Sequence, residues 1–434
     1  MSQSAPVTND LLDDLRWRGL VAQTTNDDEL ATDLNSGSLS LYCGFDPTAA
    51  SLHVGNLVPL LTLRRFQQHG HRPIALVGGA TGLIGDPSGR ATERTLNSDD
   101  VVEDWVGRIR SQVSSFVDLD GEKAATVVSN LDWTESLTAI TFLREVGKHF
   151  SVNVMLSKDS VKTRLNDQGI SFTEFSYMLL QAHDYLELYR RHDCRLQIGG
   201  SDQWGNITAG LDLIRKVEGG DGPTAHALTV PLVTKSDGEK FGKTAGGAIW
   251  LDAEITTPFA FYQFWLNTDD RDIGSFTKLF SMADRSTIEG VLSAHVAEPF
   301  RRSAQRFLAR ELTTLVHGQH ASEQVEAAGI ALFSGGDLSQ LDESTVAAAL
   351  QSAPNATYTL DSPQAWPEVA DLLVATGLSE SRGAARRTIK EGGAYLDNQR
   401  VTDQDSVASA DQLIHDRWWV LRRGKRNFAS VELR

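Results

Sequence analysis

Between Leu39 and Lys216 the apolar positions form short continuous runs, each closed by a glycine-rich turn and followed by a longer segment of helical period. Leu39-Ser-Leu-Tyr-Cys43 reads as a strand. The helix after it is expected to begin near Asn56, with Pro59 in its first turn, where a missing N–H costs least. Leu57, Leu60, Leu61 and Phe66 fit a helical spacing better than alternation. Pro73-Ile-Ala-Leu-Val77 is the next strand and runs into GGATGLIGDPSG, while Cys194-Arg-Leu-Gln-Ile198 enters GGSDQ and the helical NITAGLDLIRK. Repeated strand, glycine loop and helix units predict a parallel sheet with a ligand crevice at the carboxyl ends of its strands. From Pro258 to about Phe333 the pattern is helical, and the polar stretch after it supplies linkers. The predicted boundaries are 1–257 for an α/β domain, 258–335 for a helical domain, 336–365 for a linker and 366–434 for a small α+β domain.

Composition narrows the classes. The chain has 434 residues, 41% hydrophobic and 23% charged, enough for several domains with a sizeable core. The uncharged stretch Pro47–Leu63 carries a histidine, an asparagine and a proline, so it is a poor membrane span. The opening MSQSAPVTNDLLDD lacks a basic segment followed by an apolar run, which predicts no export. Cys43 and Cys194 are the only cysteines, excluding a disulfide framework and a cysteine-built zinc site and favouring a reducing cytoplasm. The formal charge of −16 argues against general coating of nucleic acid. Residues 361–434, however, hold eleven acidic and eleven basic side chains, so any RNA partner is expected there.

Common nucleotide fingerprints fail. There is no GxGxxG, and Gly238-Glu-Lys-Phe-Gly242-Lys243-Thr244 has three residues between its glycines where a P-loop needs four. Neither GxSxG nor HExxH occurs. Two other segments draw attention. His53, Gly55 and Asn56 lie where a helix begins, so free N–H groups and the helix dipole favour an anion there. Lys240 and Lys243 stand three apart on the polar loop KSDGEKFGKTAGG, suited to neutralising a polyphosphate. Taken singly, the first is as well read as a capped turn and the second as a solvated basic loop.

In this order the segments gain meaning. HVGN resembles the HIGH signature of class I aminoacyl-tRNA synthetases, and KFGKT resembles their KMSKS loop. YCGFDPTAASLHVGN, GGATGLIGDPSG, YMLLQAHDYLELY and QIGGSDQWGNITAG resemble the bacterial tyrosyl-tRNA synthetases along essentially the whole chain. The departures are Asn56 for the last histidine of HIGH, and KFGKT for KMSKS. The resemblance implies a Rossmann-like catalytic domain that activates L-tyrosine with ATP, accompanied by Mg2+, and transfers it to tRNA(Tyr). It implies Tyr42 and Asp184 about the phenolic hydroxyl, and Asp86, Tyr177 and Gln181 about the amino group. Gly44, Asp46, Gly55, Gly200, Asp202 and Gln203 would line the adenylate. Thr48, His53 and Asn56 would face the phosphates, and Lys240, Lys243 and Thr244, joined by Arg90 and Arg94, the leaving pyrophosphate. A homodimer is also implied, with an interface near residues 149–153, and no metal ligand of the protein's own.

At the carboxy-terminal end, Arg382, Arg386 and Lys390 recur every four residues as a basic stripe. Ala-Tyr-Leu-Asp-Asn-Gln-Arg-Val401 reads as two strands about an Asp397-Asn398 turn. The run SRGAARRTIKEGGAYLDNQ resembles a small RNA-binding domain of ribosomal small-subunit proteins. Arg422, Arg423, Lys425 and Arg426 beside Trp418, Trp419 and Phe428 extend the expected RNA surface. Three rival readings remain: a tryptophanyl enzyme, a nucleotidyltransferase with a HIGH-like motif, and a non-enzymatic RNA-binding protein on a synthetase scaffold.

Overall fold

The computed structural model describes residues 11–86, 98–158, 161–162, 169–219, 224–238, 241–244, 247–334, 336–351, 353–360, 365–424 and 427–434. It falls into two compact units, residues 1–252 with 268–304, and residues 253–267 with 305–434.

The first unit is built on a six-stranded sheet. Its strands are β1 (Gln23–Thr24), β2 (Ser40–Phe45), β3 (Arg72–Val77), β4 (Thr126–Ser129), β5 (Cys194–Gly200) and β6 (His226–Val230), in the order β1-β6-β5-β2-β3-β4. All neighbours are parallel except β1 and β6. The expected strands are therefore present, each a residue or two longer than read. Apolar runs such as LYCGF and PIALV suit strands covered on both faces. From β2 the chain passes to β3 on one side and later to β5 on the other. That reversal opens a crevice at the carboxyl ends of β2 and β5.

Three helices frame it. Leu57–Gln68 follows a single turn of 3-10 helix at Val54–Asn56 and buries Leu57, Leu60, Leu61 and Phe66, with Pro59 in the first turn as expected. Phe172–His192 starts at Ser171, whose hydroxyl accepts from the Glu174 N–H, and ends at Asp193 in the left-handed region. Trp204–Glu218 follows β5 after one turn.

The helical stretch 258–335 is not one unit. Helix Ile273–Phe280 belongs with the sheet: Arg18 donates to the Lys278, Ser281 and Ala283 carbonyls and Arg65 to those of Leu279 and Ser281. Two guanidinium groups thus satisfy the carbonyls left over at a helix carboxyl end. Helix Pro258–Leu266 belongs to the second unit, where the Phe261 ring meets His317 edge-on and Tyr262 donates to Glu326.

The segment 336–365 is more than a linker. It carries helix Glu343–Gln351, which buries Val346, Ala349 and Leu350, and strand β9 (Asn355–Tyr358). With β10 (Ala394–Leu396), β11 (Gln399–Arg400), β12 (Trp418–Arg423) and β13 (Asn427–Leu433), β9 forms a five-stranded sheet of order β11-β10-β12-β13-β9. The small domain therefore begins before Trp366. Helices Val369–Ala375 and Arg382–Lys390 pack on this sheet through Leu372, Leu373, Ala385 and Ile389. Asp397 and Asn398 both take positive φ, 43° and 56°, as the tight turn between β10 and β11 requires. Among the described residues, no helix is long and apolar enough to cross a membrane.

Candidate active site

A cavity of about 640 Å³ lies at the carboxyl ends of β2 and β5. Tyr42 and Gly44 reach it from β2, Asp46 and Thr48 from the turn beyond, and His53, Gly55 and Asn56 from the start of the following helix. Asp86 follows the glycine-rich turn after β3, and Gly200, Asp202 and Gln203 follow β5. Tyr177, Gln181 and Asp184 are spaced four and three apart on helix Phe172–His192 and so share its inner face. All fourteen of these predicted residues line one space.

Asp184 closes one end, with 2% of its surface exposed. It accepts from Asn130 Nδ2 and from Trp133 Nε1, each at 2.9 Å. Burial pushes its carboxyl up to about 7 against the pull of these donors. Beside it, the Tyr42 hydroxyl is fully buried and has no hydrogen-bond partner among the described residues. Burial, then the nearby Asp184 charge, pushes that phenol well above its ordinary value, so it stays a neutral hydroxyl. Tyr42 is aligned with Gln197 across β2 and β5, and the buried Gln197 Oε1 is likewise without a partner among the described residues. Unpartnered polar atoms in a buried cleft are costly unless a ligand meets them.

A network runs outward from Asp184. Asn130 also donates to Thr81 Oγ1 at 3.0 Å and accepts from the Ala80 N–H at 2.7 Å. Thr81 donates to Asp46 Oδ1 at 2.7 Å, and Tyr177 donates to Asp46 Oδ2 at 2.6 Å. Tyr177 therefore enters the site already committed to Asp46. A methyl at Gly78 would collide with Asp46 Oδ1 and Thr81 Oγ1, so this turn admits no side chain. On the opposite wall Gln203 Nε2 donates to Asp86 Oδ2 at 2.6 Å. Burial, then the charge of Asp86, pushes the Asp202 carboxyl up.

At the mouth, His53 Nδ1 accepts from the Gly55 N–H and Asn56 Oδ1 accepts from the His53 N–H, each at 3.0 Å. The neutral His53 ring therefore carries its proton on Nε2. Asn56, the departure from HIGH, has a structural role as the second half of this reciprocal cap. Residues 241–244 of the KFGKT segment lie alongside. Lys243–Thr244 forms β7, paired with β8 (Gly247–Ala248), and the chain then bridges to the HVGN turn through Val54 N–H to the Ile249 carbonyl at 2.9 Å and a His53–Trp250 pairing. Gly242 has φ of 76°, and a methyl there would lie 2.7 Å from Val54 Cγ2. Phe241 lines the cavity and stacks on Phe280, 5.3 Å between centroids, with Phe276 edge-on. Lys240, Arg90 and Arg94 lie outside the described residues, and Lys243 and Thr244 are described by their backbone.

Sequence reasoning missed Asn130, Trp133, Asn206 and Gln197. The last left a signal, a glutamine inside an otherwise apolar buried strand.

The carboxy-terminal surface differs from expectation. Arg382 pairs with Glu368 at 3.1 Å and Asp371 at 2.6 Å, and Arg386 with Glu368 at 3.1 Å and Asp405 at 2.9 Å, so two of the three cations of the expected stripe are neutralised by the domain itself. Among the described residues, exposed Arg387 and Lys390 have no such carboxylate. Arg423 donates to the Leu378 carbonyl at 2.7 Å, and Arg422 stacks on Tyr395 at 4.2 Å. Trp418 and Trp419, expected beside the basic tail on the RNA surface, are instead buried in the domain, Trp419 donating to the Ser409 carbonyl and meeting Tyr358 and Trp366 edge-on. Their apolar area is taken up by the sheet's own core. Lys425 and Arg426 lie outside the described residues.

Comparison with known proteins identifies the family. The family model for class I tRNA synthetases (W and Y) matches residues 34–334, and that for the SYY-like C-terminal domain of tyrosine–tRNA ligases matches residues 346–431. The tyrosine–tRNA ligase of Acidothermus cellulolyticus is 58% identical over 97% of this chain and 99% of its own. That of Streptomyces coelicolor is 56% identical over 98% and 99%. The crystal structure of a C-terminally truncated mitochondrial tyrosyl-tRNA synthetase from Aspergillus nidulans superposes with a TM-score of 0.68 at 29% identity, covering 74% of this chain and 94% of that one. By matched length, by identity and by fold, this chain belongs to the tyrosine–tRNA ligases of the class I tRNA synthetases.

Proposed function

We propose that the cavity joins L-tyrosine to ATP and that the resulting tyrosyl group passes to tRNA(Tyr). One observation carries the choice of amino acid: at the closed end a buried carboxylate, Asp184, stands with a buried hydroxyl, Tyr42, that has no protein partner among the described residues. A phenol both donates and accepts, so it satisfies Asp184 as donor and Tyr42 as acceptor. An indole N–H only donates, and a phenyl ring does neither. Each group left unpaired costs about 1–3 kcal/mol, which disfavours tryptophan and phenylalanine.

The tyrosine carboxylate, ionised at neutral pH, attacks the α-phosphorus of ATP in line. The new C–O–P bond forms as the bond to the β-phosphate oxygen breaks, giving tyrosyl-adenylate and pyrophosphate. No general base is required. Asp86, Tyr177 and Gln181 hold the ammonium group, while Asp46 and Gln203 line the adenylate and Asp202 holds its ribose hydroxyls. His53 through Nε2, with Thr48 and Asn56, donates to the phosphates. Lys240, Lys243 and Thr244, with Arg90 and Arg94, meet the departing pyrophosphate, and Mg2+ enters with ATP as part of the substrate. A terminal ribose hydroxyl of tRNA then attacks the tyrosyl carbonyl carbon and AMP leaves.

Amino-acid-dependent exchange of labelled pyrophosphate into ATP tests the reading. Stimulation by tyrosine alone is expected. Stimulation by tryptophan alone would move the chain to the tryptophanyl branch, and none with any amino acid would leave a binding protein on a synthetase scaffold.

We also propose a homodimer. Ile140, Leu143, Val152 and Val154, each more than half exposed, give residues 139–156 an apolar surface that suits a second copy. Sedimentation at micromolar concentration should return twice the chain mass. The two cysteines, free and buried, fit a reducing cytoplasm.

A further inference from the structure

Asn206 stands in the first turn of helix Trp204–Glu218 and is buried, behind the residues that line the cavity. Its Nδ2 lies 3.1 Å from Gln181 Oε1 and 3.1 Å from Gln203 Oε1. A primary amide nitrogen has two hydrogens, and here both are used to bind one glutamine on each side.

The direction of this chain of hydrogen bonds is set at one end. An ionised carboxylate only accepts, so Gln203 must turn Nε2 to Asp86 and thereby presents Oε1 to Asn206. Asn206 must then donate, and Gln181 in turn must hold its oxygen toward Asn206. Reversing any one amide forces the others to reverse and sets a glutamine oxygen against the Asp86 carboxylate. The 2.6 Å charge-assisted bond at Asp86 therefore determines the orientation of an amide on a different helix.

We infer that Asn206 is a positioning residue for the α-ammonium subsite: without touching the amino acid, it holds Gln203 Nε2 on Asp86 and fixes the Gln181 amide so that the second lone pair of Oε1, rather than an amide N–H, is left for the ammonium group. The inference rests on the placement of that group beside Asp86, Tyr177 and Gln181. Without Asn206 the Gln181 amide is released from Asp86 and presents N–H to a cation in a share of molecules.

The test compares two ligands that differ only at the amino group. Dissociation constants of L-tyrosine and of 3-(4-hydroxyphenyl)propionate are measured on the full chain, on Asn206→Leu, which keeps the volume and removes both donors, and on Asn206→Ser, which keeps one. The unsubstituted protein should prefer tyrosine. In Asn206→Leu tyrosine should weaken about tenfold or more and the amine-free ligand less than about threefold, with Asn206→Ser between. Equal weakening of both ligands would reduce Asn206 to a structural residue, and no change in either would remove its role. If the unsubstituted protein binds both ligands equally, the ammonium placement itself is wrong. Should Asn206→Leu fail to fold, as judged by its melting transition, the ligand preference of Asn206→Ser decides.

Discussion

In the amino-terminal unit Asp184 is buried and answered by two neutral donors, whereas in the carboxy-terminal domain Arg382 and Arg386 lie at the surface, each held by two carboxylates. Both regions carry charge, but in opposite states of completion. A buried acid beside an unpartnered Tyr42 hydroxyl is an arrangement that a ligand completes. Exposed guanidinium groups that already have partners contribute little, because water and salt screen them. Glu368 shows the same completion from the acidic side, its carboxyl held below the ordinary range by Arg386 and Arg382. The functional weight of a charged residue thus depends on what else meets it, which a count of charges does not reveal.

The comparison can be broken at its largest scale by ending the chain at Gln351, ahead of β9. Tyrosine-dependent pyrophosphate exchange should stay within about threefold, while tRNA charging falls by at least about two orders of magnitude as the phosphate contacts go. Full-rate charging by the shortened chain would show that the carboxy-terminal domain does not hold tRNA. At the closed end of the cavity, Asp184→Asn replaces a charged acceptor by a neutral amide. It should lower kcat/KM for tyrosine by about 30- to 100-fold while leaving the slow activation of phenylalanine nearly unchanged. Equal losses for both amino acids would mean that Asp184 serves the fold rather than the phenol.

Smaller effects sharpen the contrast on the basic helix. Arg387→Ala with Lys390→Ala should raise KM for tRNA by about three- to tenfold, and Arg382→Ala by less than about twofold, since only the first two cations lack carboxylate partners among the described residues. The reverse ranking would restore the stripe read from the sequence. The smallest effect is in stability. With its carboxyl at about 7 against an ordinary 3.8, Asp184 takes up a proton on folding over the interval between those values. Its stabilising contribution is therefore present at low pH and is lost as pH rises through 7. The melting temperature of Asp184→Asn relative to the unsubstituted protein should rise by a few degrees between about pH 5 and pH 8, and a flat difference would contradict the raised carboxyl.

What was legible in the sequence follows the range of the interactions. Strands β2, β3 and β5 and the helix after Asn56 were readable because each is a local apolar run closed by glycine or a cap. The cavity-lining residues were readable because they cluster at the ends of those strands. Asn130, Trp133 and Asn206 were not, since each matters through a partner some 25 to 54 positions away in the chain. The helix Glu343–Gln351 and strand β9 were hidden among serines and aspartates. Trp418 and Trp419 were misassigned because neighbouring arginines made an interior pair resemble a surface one. Alternation along β12 does not separate these uses, as four successive residues from Trp418 to Leu421 are buried.

Strand β9 has one more consequence, for the order of assembly on the ribosome. It lies parallel to β13, with Asn355 beside Ser430 and Tyr358 beside Leu433, so one edge of that sheet waits until residues 427–433 have left the exit tunnel. Parallel partners so distant in the chain close slowly, after the entropy of a long loop has been lost. A nascent chain can therefore complete the cleft of the amino-terminal unit while its carboxy-terminal sheet is still open at β9, which puts a time gap in translation between the closing of the one and the closing of the other.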